Sequence, residues 1–467
     1  MNPSHLTGRG TTAPLPKEMV IKTKKKEFLL ISRLGLLANP EIEDEFNHLL
    51  PEKLSEEGLA QIIANLKKER SDEEIDLELS NVSNLVFCIT ENCNLRCSYC
   101  GYSGAYYGER THSFKKISIE IVRQGIDLFF GYINSQSRTK KRNIIPIGFY
   151  GGEPLLEISL IKKSIDYAKR RADELELHNK FKFDFTVSTN GLLLTDKNVD
   201  FFVENDLAIA VSIDGPQETH DRFRITADKK GSWHLIMKNL KRMKNRYADF
   251  YKRRVTFLCT VHPLYDGRSI DEFFLSNQQY FDLSKITFSN LKTDSLNEAV
   301  VRLIEAEAKN YPDSRLMFEK NILNTFDINK FKLNILRPTS KLTGTCFPGG
   351  LKFFIGVNGD IHICESINPH FPIGNVFEGI NHENIRHIIR TFNEGIMKKK
   401  CWECEVWFIC TSCYAPSSYG EELRFHCPKE GIINGLIDYL CYKEDEYEKK
   451  QSDICINSVD DYLDFLQ

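Results

Sequence analysis

The sequence predicts an α/β protein built around a parallel sheet, with a small module before the sheet and a cysteine-rich module after it. Between residues 83 and 292, strand-like and helix-like runs alternate and give six strands with helices between them. Alternation of this kind favours a parallel sheet with right-handed crossovers. Two groups of cysteines, separated by a long stretch that contains only Cys259, indicate two metal-binding modules.

The period of the apolar residues defines each element in turn. Phe181, Phe183, Phe185 and Val187 occupy alternate positions, as in a strand, whereas residues 119–133 place their apolar residues on one helical face. The predicted strands are 84–90, 144–150, 181–188, 207–213, 254–261 and 286–291. The predicted helices are 119–133, 158–175, 196–204, 233–244 and 270–280. Spacing does not determine whether the sheet is open or curved.

The flanking segments are organised differently. Residues 19–31 contain two possible short strands, and 55–69 carry Leu59, Ile62, Ile63 and Leu66 at helical spacing. Residues 293–340 read as a polar, helical connector. At 467 residues, the chain is long enough for two or three domains.

Composition argues against several classes of partner. The chain has 62 basic and 65 acidic residues, for a net charge of −3, so we expect neither nucleic acid nor a membrane surface as a partner. No apolar run reaches the length of about 18 residues that a membrane helix needs, and the first residues are polar. We therefore expect a cytoplasmic protein.

Fourteen cysteines in such a chain indicate metal binding, because cytosolic thiols stay reduced. Cys93, Cys97 and Cys100 form a CxxxCxxC motif directly after an apolar run. Three thiolates are one fewer than a closed zinc site or a ferredoxin cluster uses, so the motif suggests a 4Fe-4S cluster with one open iron. A chance cluster of thiols is the alternative interpretation of the motif alone.

The second group contains seven cysteines at spacings typical of metal ligands: Cys346, Cys364, Cys401, Cys404, Cys410, Cys413 and Cys427. Taken in isolation, its two CxxC pairs would also suit zinc. The remaining cysteines fit no motif and are expected to be ordinary thiols: Cys88, Cys259, Cys441 and Cys455.

Short polar motifs follow the predicted strands. Gly151-Gly152-Glu153 closes the second strand, where glycines let a ligand approach the backbone and a carboxylate can accept from an ammonium group. Ser188 and Asn190 follow the third strand, and Ser212 and Asp214 follow the fourth. Each motif alone could be a plain turn. All of them fall at the carboxyl ends of successive predicted strands.

The CxxxCxxC spacing, with an aromatic residue before the third cysteine, resembles the signature of radical S-adenosylmethionine (SAM) enzymes. The resemblance implies a partial (β/α)6 barrel in which the open iron binds SAM and reductive cleavage gives a 5′-deoxyadenosyl radical. By resemblance, Tyr99 packs near the adenine, and Arg224 binds the SAM carboxylate, with Arg222 as the rival arginine. Gly151, Gly152 and Glu153 would bind the SAM amino group. Ser188, Asn190, Ser212 and Asp214 would hold the ribose or carboxylate.

The second cysteine group resembles the SPASM extension of this family, which holds one or two auxiliary 4Fe-4S clusters. The resemblance assigns Cys401, Cys404, Cys410 and Cys427 to an outer cluster and Cys346, Cys364 and Cys413 to an inner one. The inner set is one ligand short, so either another residue, such as Cys441, completes it or an open iron faces the active site. Cys410 and Cys413 are spaced CxxC where the family has CxxxC, which leaves the assignment of Cys413 open.

The resemblance also implies domains and a function. The expected domains are a possible leader-peptide-binding extension at 1–80, the radical SAM barrel at 81–292, a connector at 293–340 and the auxiliary cluster domain at 341–467. Two short segments, Tyr102-Ser103 and Arg110-x-His112, are similar to segments found in a subset of peptide maturases. Those enzymes cross-link ribosomally made precursor peptides through thioether or carbon–carbon bonds. A sulfatase maturase that makes formylglycine is the enzymatic alternative, and a non-catalytic iron–sulfur peptide carrier is another. A flavodoxin or ferredoxin is the expected electron donor.

Overall fold

The computed structural model describes residues 18–22, 27–31, 36–38, 56–104, 106, 110–135, 139, 142–290, 317, 346–404, 410 and 412–433. The expected connector at 293–340 lies almost entirely outside the described residues, as do Cys441 and Cys455. Within the described ranges, none of the helices is both long and apolar enough to cross a bilayer.

The chain begins with a small antiparallel sheet and two helices. The sheet contains β1 (Glu18–Lys22), β2 (Glu27–Ile31) and β3 (Leu36–Ala38), paired in that order. The helices are α1 (Glu56–Lys67) and α2 (Asp72–Leu79). Ser71 begins α2 with a capping box, because its side chain accepts from the amide of Glu74 while the Glu74 carboxylate accepts from the amide of Ser71.

The central layer alternates strands and helices. In order these are β4 (Leu85–Thr90), α3 (Ile119–Ile133), β5 (Ile144–Gly151), α4 (Ile158–Glu174), β6 (Lys182–Thr189), α5 (Asp196–Glu204), β7 (Ala208–Ser212), α6 (Gln217–Phe223), α7 (Trp233–Arg246), α8 (Ala248–Arg254), β8 (Val255–Val261), α9 (Gly267–Ser276) and β9 (Ile286–Asn290). The six strands pair in parallel and in sequence order. The predicted α/β fold with a parallel sheet is therefore confirmed.

The cysteine-rich part adds short strands to this sheet. Its elements are β10 (Phe353–Ile355), β11 (Asp360–His362), β12 (Gly374–Asn375), β13 (Gly379–Ile380), α10 (His382–Lys399), α11 (Tyr414–Ser417), β14 (Ser418–Tyr419) and β15 (Glu422–Leu423). Strand β10 pairs in parallel with β4, and β11, β12 and β13 continue the sheet in antiparallel fashion. In the described part of the chain, one ten-stranded sheet thus runs from β13 to β9.

Helices α1 and α2 pack against α10, which lies more than 300 residues later in the sequence. Arg386 bonds the carbonyl of Arg70 and pairs with Asp72, and Asn393 donates to the carbonyl of Leu66. Ile75 and Leu79 are fully buried and belong to the same apolar core as the central sheet. A boundary at residue 80 would therefore separate these residues from the core in which they are buried.

Candidate active site

A cavity of about 380 Å³ opens at the carboxyl ends of the parallel strands. Strands β5 to β9 each supply lining residues, as expected when parallel strands end at one edge of a barrel. The polar side chains among them are Tyr150, Ser188, Thr189, Ser212, Thr260 and Ser289. Ser188 and Ser212 were predicted to lie here. Thr260 and Ser289 were missed, although each lies at the carboxyl end of its strand and the same rule would have found them.

The loop that contains Cys93, Cys97 and Cys100 forms one wall of this cavity. Its backbone is held by the last residue of α6 and the segment after it, because the amide of Arg96 donates to the carbonyl of Ile225 (2.7 Å) and the amide of Ser98 to that of Phe223 (3.2 Å). The three thiols are thus brought together on a fixed loop.

The surroundings of these thiols fit a thiolate-ligated cluster. Backbone amides point at two sulfurs: Leu95 N lies 3.3 Å from Cys93 Sγ, and Tyr102 N lies 3.4 Å from Cys100 Sγ. Burial raises the pKa of Cys93 to about 11 and that of Cys97 to about 12. Thiols that are desolvated in this way ionise when a cation binds them, and the amide donors then stabilise the negative sulfurs.

The two glycines at the end of β5 are required by the protein backbone itself. The amide of Gly152 donates to the carbonyl of Thr90 (2.7 Å) and that of Glu153 to the carbonyl of Asn92 (2.8 Å). A Cβ added to Gly151 or Gly152 would lie 2.3 or 2.2 Å from these same two carbonyl oxygens. The sequence-based explanation was close approach of a ligand. The structure shows close approach of the backbone just before Cys93, and both glycines also line the cavity.

Glu153 is fully buried and accepts three hydrogen bonds from the protein. Thr189 Oγ1 and Leu155 N donate to Oε1 (2.8 and 3.0 Å), and Asn190 N donates to Oε2 (2.7 Å). Burial nevertheless raises the pKa of Glu153 to about 7, against these donors. The carboxyl group ties the end of β5 to the end of β6, behind the cavity wall.

Asn190 connects this network to the cluster loop. Its Nδ2 donates to Asn94 Oδ1 at 2.7 Å and lies 3.7 Å from Cys93 Sγ, while its Oδ1 accepts from Leu192 N at 3.0 Å. The side chain also lines the cavity. Asn190 therefore holds the cluster loop in place as well as facing the ligand space.

Asp214 is the centre of a second buried network. Its Oδ2 accepts from Arg224 Nε (2.8 Å) and from the Tyr99 hydroxyl, and its Oδ1 accepts from Thr260 N (3.0 Å). Burial raises the pKa of Tyr99, so this tyrosine stays protonated and donates. Asp214 was expected to contact SAM directly. In the structure it positions Arg224 and Tyr99, which both line the cavity.

The two candidate arginines have different environments. Arg224 is buried in the cavity wall, with its guanidinium over the Tyr99 ring at 5.5 Å. Arg222 is exposed, and its Nη1 donates to the carbonyl of Leu264 on the protein surface. Of the two, Arg224 is therefore the one within reach of a ligand in the cavity.

His220 supports this network and was absent from the predicted site. Burial lowers the pKa of His220 to about 4, so its ring is neutral. The amide of Asp214 donates to Nδ1 (3.2 Å), which places the proton on Nε2, and Nε2 donates to Ser232 Oγ (3.0 Å). Ser232 Oγ in turn donates to the carbonyl of Arg224 (2.8 Å). The His-Asp-x-x-Arg motif contained the signal, but only the structure shows that His220 positions Arg224.

The opposite wall comes from the cysteine-rich part. Glu365 and Ser366, directly after Cys364, line the same cavity. Arg110 fixes this segment, because its Nη1 donates to the carbonyl of Glu365 (3.0 Å) and its guanidinium lies over the Phe354 ring at 5.0 Å. Lys352 pairs with the Glu365 carboxylate at 2.7 Å. The cavity is thus shared between the barrel and the cysteine-rich module.

Six of the seven C-terminal thiols fall into two electrostatic neighbourhoods. Burial raises the pKa of Cys401 to about 12, and the nearby thiols of Cys410, Cys427 and Cys404 raise it further. Burial is the largest of the effects that raise the pKa of Cys364 to about 11. The charges of Glu365 and Cys413 raise this pKa further. The charge of Cys413 therefore reaches Cys364, despite the unusual spacing of the last cysteine pair.

Among the residues that the structure describes, no three or more Cys, His, Asp or Glu side chains are close enough to hold a single metal ion. All ten cysteines assigned to clusters lie within the described ranges. A cluster of four irons occupies more space than one ion, so thiols around it lie farther apart than the ligands of a mononuclear site.

Comparison with known proteins identifies the central domain. Residues 87–274 match the model of the Radical SAM superfamily. The chain is 26% identical over 413 residues to a serine-type anaerobic sulfatase-maturating enzyme of Bacteroides thetaiotaomicron, covering 80% of this chain and 88% of that protein. It is 24% identical over 337 residues to the radical SAM cyclopropyl synthase TigE of Paramaledivibacter caminithermalis, covering 69% of this chain and 66% of that protein.

A solved structure shares the fold. The structure of anSMEcpe with bound AdoMet and the Kp18Cys peptide has a TM-score of 0.55 and 16% identity, and the match covers 79% of this chain and 99% of that one. The prediction of a radical SAM domain and of its cofactors is confirmed. SAM and a 4Fe-4S cluster are the cofactors of a radical SAM domain, and the C-terminal cysteines fit auxiliary clusters.

Proposed function

Because this chain contains a radical SAM domain over residues 87–274, we propose that it is an oxidoreductase that modifies a peptide. The proposed reaction is formation of a thioether or carbon–carbon cross-link in a ribosomally made precursor peptide. We assign the first cluster to Cys93, Cys97 and Cys100. We keep the inner auxiliary set of Cys346, Cys364 and Cys413 and the outer set of Cys401, Cys404, Cys410 and Cys427.

The shared cavity is the observation that supports this proposal. One wall is the cluster loop with Arg224 and Asn190, and the other is the Glu365-Ser366 segment next to Cys364. A side chain of a bound peptide would therefore lie between the radical source and the inner auxiliary site. A cross-link requires removal of a hydrogen atom and then loss of one electron and one proton, so an electron acceptor next to the substrate suits this chemistry.

When bound, SAM and the first cluster supply the radical that removes the hydrogen atom. The chain's own residues position these groups and exclude water. Arg224, fixed by Asp214, offers its fork to the SAM carboxylate. Tyr102 and Tyr106 are buried beside the cluster loop and line the cavity, so little water reaches this wall.

Formation of formylglycine is the second candidate. It is supported by the similarity to the serine-type sulfatase-maturating enzyme, which extends over 80% of this chain. Both reactions oxidise a side chain of a polypeptide by two electrons and would use the same cavity. They differ in the product, because formylglycine carries an aldehyde whereas a cross-linked peptide does not.

The test is to measure iron, sulfide and 5′-deoxyadenosine for protein reconstituted without oxygen and reduced with dithionite. We expect about twelve irons, falling to about eight in Cys93→Ala/Cys97→Ala/Cys100→Ala with loss of 5′-deoxyadenosine, counting about four irons per cluster. About four irons in the unmodified protein would contradict the auxiliary clusters and remove the electron acceptor from the proposal.

Mass spectrometry of candidate substrates then separates the two reactions. A cross-linked precursor peptide loses two hydrogen atoms and does not react with a hydrazide. A sulfatase peptide converted to formylglycine does react. Modification of the sulfatase peptide alone would overturn the cross-linking proposal in favour of the second candidate.

A further inference from the structure

Arg110 belongs to the Arg-x-His segment and connects the end of the cluster loop with the cysteine-rich module. The backbone on either side of it is tied to the cluster loop, because Thr111 forms an antiparallel bridge with Ser103 and the amide of His112 donates to the carbonyl of Tyr102 (2.7 Å). The side chain of Arg110 extends from this bridge to the other module, where its contacts define its role.

The guanidinium of Arg110 holds the segment that follows Cys364. Its Nη1 donates to the carbonyl oxygen of Glu365 (3.0 Å) and lies 3.4 Å from that of Ile367. The group also lies over the ring of Phe354, at 5.0 Å, and Phe354 is fully buried. Two carbonyls and one buried ring thus fix the charge next to a ligand that we assign to the inner auxiliary cluster.

The carbonyl that Arg110 holds belongs to the same peptide group as an amide that faces the Cys364 sulfur. Burial has the largest effect on the pKa of Cys364 and raises it, whereas hydrogen bonds from the amides of Ser366 and Ile367 to the thiol lower it. Because the peptide group is planar, fixing the Glu365 carbonyl also fixes the direction of the Ser366 amide. A hydrogen bond at the carbonyl polarises the group and strengthens the donor at its other end.

The charge of Arg110 is not neutralised by a carboxylate among the described residues. The carboxylate of Glu365, in the same segment, pairs with Lys352 instead (2.7 Å). The Nη2 of Arg110 is buried and has no hydrogen-bond partner in the part of the chain that the structure describes. A buried cation is costly unless an anion lies nearby, and a cluster bound by thiolates supplies negative charge.

We propose that Arg110 is a positioning residue that raises the reduction potential of the inner auxiliary cluster bound by Cys364. A nearby cation and a well-directed N–H donor both stabilise the additional negative charge of the reduced form. The inference rests on the proposed function, which assigns an electron acceptor to this site. A higher potential makes that acceptor more effective, and no bond forms or breaks when it takes up one electron. Arg110 itself stays protonated throughout.

The decisive variant is Arg110→Gln, which removes the charge and keeps a side chain that can donate a hydrogen bond. Arg110→Lys keeps the charge but loses the planar fork. The matched control is Arg222→Gln, because Arg222 also donates to a backbone carbonyl, that of Leu264 (3.0 Å), but is exposed on the barrel surface. All three are made in full-length protein whose first-cluster cysteines are replaced by alanine, so that only auxiliary clusters give a signal.

The measurement is a redox titration of the reconstituted protein without peptide, followed by electron paramagnetic resonance. At a fixed potential, we expect Arg110→Gln to lower the ratio of reduced to oxidised inner cluster about tenfold, which equals about 59 mV for a one-electron couple. Arg110→Lys should give an intermediate shift, and the outer cluster should not shift in any variant. Unchanged potentials in Arg110→Gln, or an equal shift in Arg222→Gln, would overturn the proposal.

Iron analysis of the same samples separates tuning of the cluster from loss of structure. We expect about eight irons in each variant, counting about four per cluster. Loss of iron from both Arg110 variants would show that Arg110 only holds the module together, and would overturn the proposal. A shifted potential in a protein that modifies no peptide would contradict the proposed function alone. No auxiliary iron in the parent of these variants would overturn both.

Discussion

At the scale of single residues, the buried pair of Arg224 and Asp214 is organised to present a cation to the cavity. Asp214 accepts from Arg224 Nε, so the guanidinium is held by one edge and the two terminal nitrogens remain for a ligand. No described residue accepts from those terminal nitrogens. Breaking a buried pair by removing one charge is strongly destabilising, at about 3–5 kcal/mol, so a test of ligand binding has to keep the charge.

We therefore predict that Arg224→Lys weakens SAM binding by about tenfold or more, because a lysine ammonium cannot bind a carboxylate bidentately. The measurement is equilibrium dialysis of SAM against the reconstituted protein. Arg222→Lys is the matched control and should leave binding unchanged, since Arg222 is exposed and bonds a surface carbonyl. Equal effects of the two substitutions would contradict the assignment of Arg224.

At the scale of elements, the end of β5 and the end of β4 are locked together through their backbones. Gly152 N donates to Thr90 O, and the space beside Gly152 is filled by the carbonyl of Asn92, the residue before Cys93. Any side chain at residue 152 would have to move the chain at the point where the cluster loop begins. The glycine pair thus sets the position of the first thiol through packing.

We predict that Gly152→Ala lowers the free energy of unfolding by about 1–3 kcal/mol and reduces the iron bound at the first site, because its Cβ would lie 2.2 Å from Asn92 O. The matched control is Gly131→Ala in α3, where an added Cβ meets nothing within 4 Å. That substitution should stabilise the protein by about 0.5–1 kcal/mol, since alanine favours a helix interior. Denaturant unfolding and iron analysis provide both readouts, and a stable, fully loaded Gly152→Ala variant would contradict the packing argument.

At the scale of the whole molecule, the first and last parts of the described chain share one core. Leu79 is fully buried, and a Cβ at Gly349 would lie 2.7 Å from its Cδ2. Arg386 of α10 pairs with Asp72 of α2. Helices α1 and α2 therefore support the cysteine-rich module, whereas β1 to β3 precede them as a separate small sheet.

We predict that deletion of residues 1–80 destabilises the protein, because it removes the buried side chains of Ile75 and Leu79, each worth about 2–5 kcal/mol. Deletion of residues 1–55 should keep the unfolding temperature and SAM cleavage but weaken binding of the precursor peptide, if the first segment is the leader-binding part. Thermal unfolding, 5′-deoxyadenosine formation and a peptide-binding titration separate these effects. Unchanged peptide affinity after deletion of residues 1–55 would end the leader-binding hypothesis.

Much of the site follows from sequence because its signals are local. The CxxxCxxC motif lies within eight residues, and Ser188, Asn190 and Ser212 each lie at or next to the carboxyl end of a strand whose period is evident. Parallel strands bring such ends together without further information. The predicted bounds of α3 and α5 also match the structure, since apolar periodicity defines an amphipathic helix.

Other features could not be read from local patterns. The sequence around Asp214 does not show that its carboxylate accepts hydrogen bonds from Arg224, Tyr99 and Thr260, because these partners lie in three different segments. The motif with His220 was noticed, but the role of its ring depends on Ser232 and the carbonyl of Arg224. Hydrogen-bond partners of buried groups depend on which segments meet, and sequence spacing does not specify that.

The sequence by itself determined the family, the alternation of strands and helices and the cysteines that are candidate cluster ligands. Residue types and short-range spacing are sufficient to specify each of these. Only the tertiary structure decided that β10 pairs with β4, more than 260 residues earlier, and thereby brings Glu365 into the cavity opposite the cluster loop. An edge strand offers unpaired backbone groups to any segment of suitable shape. Which segment takes that edge depends on the packing of the complete core rather than on a local pattern.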